Sequence, residues 1–446
     1  ATGSIFSGAD GVYRSPNGNA GTFTKLNTGA NGFPTTGFER IEIAAAPSNA
    51  AVIYALTMSA ATYGVGGIYK TTNSGATWTS CTLPTDADPG IAGEFTRGQA
   101  WYDLTIGVDP NDPNTVLVGG IDLFKSTNSG TTWTQLCHWY GGFGYQNVHA
   151  DQHAIVFQPG SSNVIYFGND GGIYRTANAG TTIDFKSYNY NITQFYACAM
   201  NPAIGSNQFM AGAQDNGTQQ YSVPGINTTI EVTGGDGAYC HIDQSDPNYQ
   251  FSSYVYNNIY RSTDGGGSFA SIRANNNGSF INPSDFDDTN NNFYASYTGG
   301  NYTRLLNAHT ATTWTNVAIA AFNAGRVTAV KVAPVTAHRV FFGLNNGRVV
   351  RVDNANAATP TATHINAGAG MPTSASISCI EVEKDDDNHL LVTYSNYGVN
   401  SVWETKNGGT SWTSVEGNLP DMPIRWSLFN PSDSSEALLA TEVGIW

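Results

Sequence analysis

Hydrophobic and polar positions alternate in short runs along this chain, and the runs are separated by turns rich in Gly, Pro, Asn and Asp. The stretch 153–185 shows the pattern well, with runs at 153–159, 164–168 and 172–175, then a turn and a fourth run. Alternation with a period of two between turn residues predicts β-strands. Four such runs with short connections predict a four-stranded antiparallel meander.

The meander recurs along the whole chain. Its first strand begins near residues 41, 102, 153, 195, 239, 281, 327, 378 and 425, a spacing of about 42 to 60 residues, which is typical of propeller blades. Ser4 to Leu26 predicts strands two to four of one further unit, and Arg425 to Trp446 predicts strands one to three, so we expect the two ends to close the ring. The predicted fold is all-β: residues 1–446 form a single large β-propeller of about nine to ten four-stranded blades.

An eight-residue motif, Ser/Thr-x-Asp/Asn-x-Gly-x-Ser/Thr-aromatic, lies between the third and fourth strands. Copies occupy residues 71–78, 126–133, 262–269 and 405–412, with a weaker one at 176–183. The Asp or Asn side chain can bond to its own backbone, the Gly supplies a positive φ, and the aromatic anchors the turn. Because catalysis needs unlike residues that converge, these dispersed copies indicate hairpin corners.

The motif resembles the Asp-box (BNR repeat) of sialidases, sortilin-like receptors and xyloglucan-degrading hydrolases. The loops Asn169-Asp170-Gly171-Gly172, Gln214-Asp215-Asn216-Gly217 and Gly235-Asp236-Gly237 also resemble those of secreted bacterial proteins labelled glycosyl hydrolases. The resemblance implies a secreted propeller that acts on glycans or, like sortilin-like rings, binds peptides. Sialidases of the group use three arginines, and no such triad is recognisable here, which disfavours sialidase activity.

Charge narrows the range of partners. The 446 residues hold 19 Lys plus Arg against 34 Asp plus Glu, a net charge of −15. This charge repels phosphate backbones, so nucleic acid is not an expected partner.

No apolar stretch approaches eighteen residues, so no membrane span is expected. The low charged fraction of 12% favours an extracellular location. The chain starts at Ala1 without a leader, which we interpret as a mature or excised segment of a secreted protein.

The five cysteines follow no metal or redox spacing. Cys198 and Cys240 occupy equivalent places in successive units, so a bridge between them is one interpretation, and buried thiols are the favoured one.

The densest polar loop is 138–153, which leads into a predicted first strand. If its end is extended, His149, Asp151 and His153 share one face of the strand. Two imidazoles and a carboxylate can bind a divalent metal ion or transfer protons. A hydrogen-bonded polar plug in the propeller channel is the alternative.

Four acids stand beside glycines or at strand entries on the same predicted face: Asp151, Asp170, Asp215 and Asp236. Three of them, Asp170, Asp215 and Asp236, lie in Gly-rich sequences that are ordinary turn signals when taken alone. Together they can supply the two carboxyl groups that a glycosidase needs. Flat side chains that suit sugar faces accompany them, although aromatics also serve blade packing. The candidate substrate-binding residues are Trp101, Tyr102, Trp139, Tyr140, Tyr145 and Asn216.

Two functions therefore remain open from the sequence. The first is an extracellular glycoside hydrolase that uses a pair of these acids on a polysaccharide. The second is a propeller without catalysis that binds a glycan or a protein through the same face.

Overall fold

A computed structural model describes residues 11–91, 93–190, 192–225 and 227–446. Over these ranges the protein is all-β, and the only helical element is one 3-10 turn at Ala320–Phe322. The chain divides into two compact units, residues 1–192 and 193–446.

The first unit contains three four-stranded antiparallel sheets, each in simple meander order. Blade 1 consists of β3 (Phe38–Ala46), β4 (Asn49–Ser59), β5 (Val65–Thr71) and β6 (Thr79–Ser80); blade 2 of β7 (Thr105–Val108), β8 (Val116–Gly119), β9 (Leu123–Ser126) and β10 (Thr134–Gln135); blade 3 of β13 (Gln152–Phe157), β14 (Ile165–Asn169), β15 (Gly172–Thr176) and β16 (Asp184–Phe185). Two small pairs accompany them: β1 (Tyr13–Arg14) with β2 (Thr24–Lys25), and the parallel β11 (Cys137–His138) with β12 (Gln146–Asn147).

The second unit contains five four-stranded meanders and one of three strands. Blade 4 consists of β17 (Ala197–Met200), β18 (Phe209–Gly212), β19 (Thr218–Tyr221) and β20 (Ile230–Thr233); blade 5 of β21 (Cys240–Ile242), β22 (Gln250–Ser253), β23 (Ile259–Ser262) and β24 (Ala270–Arg273); blade 6 of β25 (Ser284–Asp287), β26 (Asn292–Tyr297), β27 (Asn301–Leu305) and β28 (Thr315–Ala318). Blade 7 consists of β29 (Val327–Val332), β30 (Val340–Leu344), β31 (Val349–Asp353) and β32 (Thr361–His364); blade 8 of β33 (Ile377–Glu383), β34 (Asp386–Tyr394), β35 (Val402–Thr405) and β36 (Thr413–Ser414); blade 9 of β37 (Ile424–Asn430), β38 (Asp433–Thr441) and β39 (Gly444–Ile445).

The meander order and the sheet size are those of β-propeller blades, so the predicted fold class is confirmed. All nine predicted first strands exist, and the last blade has the three strands predicted from Arg425 to Trp446. For the N-terminal unit predicted from Ser4 to Leu26, residues 4–10 lie outside the described ranges, and the rest forms the β1–β2 pair. The closure of one ring by both ends stays a prediction.

Hydrophobic side chains pack between neighbouring blades. In the first unit, Leu56 and Ile68 of blade 1 form a cluster with Val118 and Phe124 of blade 2. In the second unit, equivalent clusters join blade 6 to blade 7 and blade 7 to blade 8. Burial of apolar area, worth about 25 cal/mol per Å², thus stabilises the packing of neighbouring sheets against each other. This packing leaves the loops at the ends of the sheets free to carry polar groups.

The five motif copies form the turns between third and fourth strands, as predicted. In the first copy, the Thr71 hydroxyl accepts a hydrogen bond from the Gly75 amide at 2.9 Å, and Asn73 Oδ1 accepts one from the Thr77 amide at 2.9 Å. Trp78, the aromatic anchor, is buried. These contacts are structural and leave no motif side chain with an evident chemical role.

Two further observations concern the cysteines and the helices. All five cysteines are free; Cys137, Cys240 and Cys379 are buried, and Cys198 is exposed. Among the residues described, no helix is long and apolar enough to cross a membrane.

Candidate functional site

Strand register brings several of the predicted site residues to one end of blade 3. Gln152 at the start of β13 lies opposite Asn169 at the end of β14, and Asn169 lies opposite Gly172 of β15. Asp170 therefore sits in the turn beside the entry to β13, where Asp151 and His153 also lie. In any antiparallel meander, the start of the first strand and the turn between the second and third strands lie at the same end of the sheet, which accounts for this juxtaposition.

Asp170 is the centre of a hydrogen-bonded cluster. His153 Nε2 lies 2.6 Å from Asp170 Oδ1, and the Tyr102 hydroxyl donates to Asp170 Oδ2 at 2.8 Å. The Tyr102 and His153 rings meet edge to face at 4.7 Å. The hydrogen bond to Asp170 raises the pKa of His153 above its usual value, against the opposing effect of burial. The cluster thus holds a carboxylate in a fixed orientation beside an imidazole.

Asp151 lies next to this cluster. One of its carboxylate oxygens is within 4.8 Å of an oxygen of Asp170. Gln99 Nε2 donates to Asp151 Oδ1 at 2.7 Å and to Asp103 Oδ2 at 3.3 Å. Burial, with the nearby charge of Asp151 as a second cause, raises the pKa of Asp103 to about 9. Asp103 is therefore neutral at pH 7, and it does not add a third negative charge behind the pair.

The loop that supplies Gln99, Tyr102 and Asp103 is held by Arg40 on β3. The Arg40 guanidinium donates to the carbonyl oxygens of Ala100, Trp101, Tyr102 and Leu104. An arginine fork suits several carbonyls at once, because its donors are fixed in one plane. Arg40, Gln99 and Asp103 were not among the residues singled out from the sequence. No spacing signal links Arg40 to a loop some sixty residues later.

The metal triplet His149, Asp151 and His153 requires a correction. The prediction assumed an extended run, but Asp151 has φ 62° and β13 begins only at Gln152, so the alternation is broken. His149 Nδ1 faces the carbonyl oxygen of Ala150 at 3.2 Å. Among the described residues, the donor atoms of these three side chains do not form a set within 4.8 Å of one another.

The aromatic candidates form two separate groups in the first unit. Trp101 is 62% exposed, and its ring lies 5.5 Å from that of Tyr102, beside Asp170. Trp139 and Tyr140 are also exposed, but their rings pair with each other at 4.6 Å around His138. Tyr145 is partly buried and belongs to the same loop as the second group.

The remaining candidates belong to the second unit. The Asp215 amide donates to Asp236 Oδ1 at 3.1 Å, and the Gly217 amide donates to the Gly235 carbonyl at 2.7 Å. These contacts join the β18–β19 turn to the loop that enters β21. Asn216 Nδ2 donates to the Gln214 carbonyl at 3.1 Å. Asp215 and Asp236 therefore hold two neighbouring loops together, and the meeting of all four acids at one mouth stays a prediction.

Comparison with known proteins gives fold likeness only. No protein-family model matches the chain, and no curated protein does. Among solved structures, YCF48 from Cyanidioschyzon merolae aligns with 77% of this chain and 94% of its own at 13% identity and a TM-score of 0.37. The GH74 enzyme of Niastella koreensis aligns with 89% of this chain and 68% of its own, at 17% identity and a TM-score of 0.24. The RRP9 WD40 repeats align with 65% of this chain and 87% of their own, at 10% identity and a TM-score of 0.42. At these identities and TM-scores the likeness does not extend to function.

Proposed function

We propose that this protein is a secreted carbohydrate-active propeller of the Asp-box (BNR repeat) group and that it hydrolyses an extracellular polysaccharide. The observation that carries the proposal is the proximity of Asp151 and Asp170, whose nearest carboxylate oxygens are less than 4.8 Å apart. Retaining glycosidases hold their two carboxyl groups about 5–5.5 Å apart, whereas inverting enzymes hold them about 6.5–9.5 Å apart. The spacing here favours a retaining mechanism.

The surroundings of the two acids differ, which supports different roles. Both oxygens of Asp170 accept hydrogen bonds, from His153 and Tyr102, and such bonds favour the charged form that a nucleophile needs. Asp151 accepts a hydrogen bond from the neutral Gln99 amide. Two carboxylates this close share a proton more readily than isolated ones, so Asp151 is the proposed proton carrier.

The proposed reaction has two steps. Asp170 attacks the anomeric carbon while Asp151 gives its proton to the leaving glycosidic oxygen, which breaks the glycosidic bond and leaves a glycosyl ester on Asp170. Asp151 then takes a proton from water, and the resulting hydroxide equivalent attacks the anomeric carbon and releases Asp170. Trp101 and Tyr102 offer flat, amphipathic rings beside the pair for a sugar face.

The test is sugar release from a panel of polysaccharides by the wild-type chain and by Asp151→Asn and Asp170→Asn. We expect each substitution to lower kcat by at least about 100-fold, the usual contribution of a positioned acid, base or nucleophile. Asp184→Asn, at an exposed position on β16, is the matched control and should keep full activity. Near-UV circular dichroism reports whether each variant retains its fold.

Asp215→Asn and Asp236→Asn belong to the same experiment, because both acids were predicted from the sequence. If only these two abolish activity, the catalytic pair lies in the second unit. Wild-type activity in all four variants would refute a carboxylate mechanism.

A second candidate function is glycan or protein binding without catalysis. The specific observation in its favour is the exposure of Trp139 and Tyr140, 40% and 52%, whose flat rings suit a sugar face or a peptide. This function predicts retention on a glycan or peptide array without turnover. Trp139→Ala or Trp101→Ala should weaken that retention about tenfold or more, and Tyr397→Ala, 66% exposed in the second unit, should not.

A further inference from the structure

A second cluster of titratable side chains lies in the first unit and was not predicted from the sequence. Asp86 and Asp88 belong to the connection between β6 and β7, and His138 ends β11. One donor atom from each of the three lies within 4.8 Å of the others. His138 Nε2 is 3.4 Å from Asp88 Oδ2. Two inter-blade connections, about fifty residues apart in the chain, thus meet at one point.

His138 is the feature that points to a ligand. The residue is fully buried, and neither of its ring nitrogens has a hydrogen-bond partner. Tyr140 and Phe143 enclose the imidazole, with ring centres 4.1 and 5.3 Å away. A buried polar group without a partner costs about 1–3 kcal/mol, so native structures rarely leave one unpaired. Its Nε2 lies 3.4 Å from Asp88 Oδ2, where a cation between them would satisfy it.

Nearby Asp122 extends the same pattern. Its carboxyl group is fully buried, Gln135 Nε2 donates to its Oδ2 at 3.2 Å, and its Oδ1 has no hydrogen-bond partner. The corner therefore combines a concentration of carboxyl groups with three buried, unsatisfied polar atoms, two on His138 and one on Asp122. Arg97 is the one guanidinium bonded to Asp86 and Asp88 among the described contacts.

We propose that Asp86, Asp88 and His138 bind a divalent transition-metal ion of the zinc class. One imidazole nitrogen and two carboxylate oxygens form a donor set that zinc accepts, and calcium and magnesium prefer oxygen alone. Bonds of about 2.0–2.2 Å in a tetrahedron place neighbouring donors about 3.3–3.6 Å apart. The 3.4 Å between His138 Nε2 and Asp88 Oδ2 matches one such edge. Three protein ligands leave the fourth position for water or a ligand.

Arg97 competes with the metal for the same oxygens. Its Nη2 bonds to Asp88 Oδ2 and lies 3.4 Å from Asp86 Oδ2. A cation at this point must displace the guanidinium, and the ring of Trp139, 5.9 Å from Arg97 Cζ, offers it an alternative contact. The Arg97 ion pairs alone do not explain the site, because they leave both ring nitrogens of His138 without a hydrogen bond.

A metal ion bound here would order the exposed rings of Trp139 and Tyr140. The Tyr140 hydroxyl donates to Asp88 Oδ1 at 2.6 Å, and Trp139 and Tyr140 directly follow His138. Fixing Asp88 and His138 on one ion would therefore fix the loop that carries both rings. This inference is independent of the proposed hydrolysis, since it uses none of the residues assigned to that reaction.

The experiment titrates the full chain, after treatment with chelator, with Zn²⁺ and with Co²⁺, by calorimetry and by visible absorption. We expect one saturable site per chain, a Co²⁺ ligand-field band typical of four-coordination, and a higher Tm with Zn²⁺. His138→Gln and Asp88→Asn should each weaken binding at least about 100-fold, because each removes a ligand. Arg97→Gln should tighten it about tenfold, because a competing positive charge is removed.

Matched controls separate this site from adventitious binding. His364→Gln and Cys198→Ser replace a partly buried histidine and the exposed thiol of the second unit, and both should bind as the wild type does. No saturable binding by the wild type, or unchanged affinity in His138→Gln and Asp88→Asn, would overturn the proposal. If either variant fails to fold, the wild-type Co²⁺ spectrum and the Arg97→Gln affinity decide the question.

Discussion

His153 links the candidate site to pH. The Asp170 carboxylate lies 2.6 Å from His153 Nε2 and raises the pKa of His153, while burial of the imidazole lowers that pKa. A raised pKa in the folded state means that folding favours the imidazolium. The resulting contribution to stability is complete below the unfolded pKa of about 6.5 and is lost as pH rises through the folded value. Deprotonation of His153 should also weaken its contact with the Asp170 carboxylate, which is then held less firmly in its orientation.

This predicts the outcome of a histidine titration by NMR. The midpoint of His153 should lie above 6.5 in the wild type and should fall in Asp170→Asn, because the raising contact is lost and burial remains. His364, whose pKa is lowered mainly by burial, serves as the internal reference and should not move. An unchanged His153 midpoint in Asp170→Asn would show that Asp170 does not govern the imidazole.

The backbone angles and side-chain contacts of single residues were the hardest features to predict from the sequence. Asp151 adopts φ 62° between Ala150 and Gln152, where an extended backbone was expected. Aspartate tolerates the left-handed region better than most residues, but no glycine or turn signal marks this position. The contact between His138 and Asp88 likewise depends on how two long loops pack, which neither spacing nor periodicity encodes.

At the scale of the element, the eight-residue motif was predicted well because its structure is local. Asx and hydroxyl side chains satisfy the turn amides, and the glycine has positive φ, as expected. The position before the glycine was missed: Ser74, Ser129 and Ala179 also have positive φ, 54°, 64° and 58°. Residues 308–314, in the turn between β27 and β28, keep only Thr313 and Trp314 of the motif. Trp314 still packs against the hydrophobic cluster there and lies under Arg273 at 4.4 Å.

Substitution of a motif glycine tests this account. Gly130 has φ 76°, and a Cβ there would lie 2.7 Å from Cys81 Cβ; Gly18 has φ 78° and open space around it. Both alanine variants incur the cost of the left-handed backbone, about 1–2 kcal/mol. Gly130→Ala should lose a further ~1–3 kcal/mol in the free energy of unfolding, because its methyl group overpacks the turn. Urea unfolding measures both, and equal losses would contradict the proposed packing.

At the scale of the whole molecule, repetition made the fold predictable. Nine first strands were expected, and the structure has one beginning within a few residues of each, because every blade repeats the same apolar alternation and turn residues. The connections do not repeat. The connection between β6 and β7 gave no positional prediction for Asp86, Asp88 and Arg97, and the strand expected near residue 102 begins at Thr105.

Net charge predicts which polysaccharides the protein accepts. A charge of −15 creates a negative potential that opposes the approach of polyanions, and the repulsion is screened over about 10 Å at 0.1 M salt. The preferred substrate or ligand should therefore be a neutral glycan. The sharpest comparison uses the polysaccharide that the panel identifies and its carboxymethylated form, which shares the backbone and differs in charge.

We expect the carboxymethylated form to bind at least about tenfold more weakly at low salt, and the difference to shrink as salt rises, because only the electrostatic part of the discrimination is screened. A difference that persists at high salt would instead indicate a steric limit near Trp101 and Tyr102. Tighter binding of the charged form at low salt would mean that local cations such as Arg40 dominate the field at the site, in which case Arg40→Gln should reverse the preference.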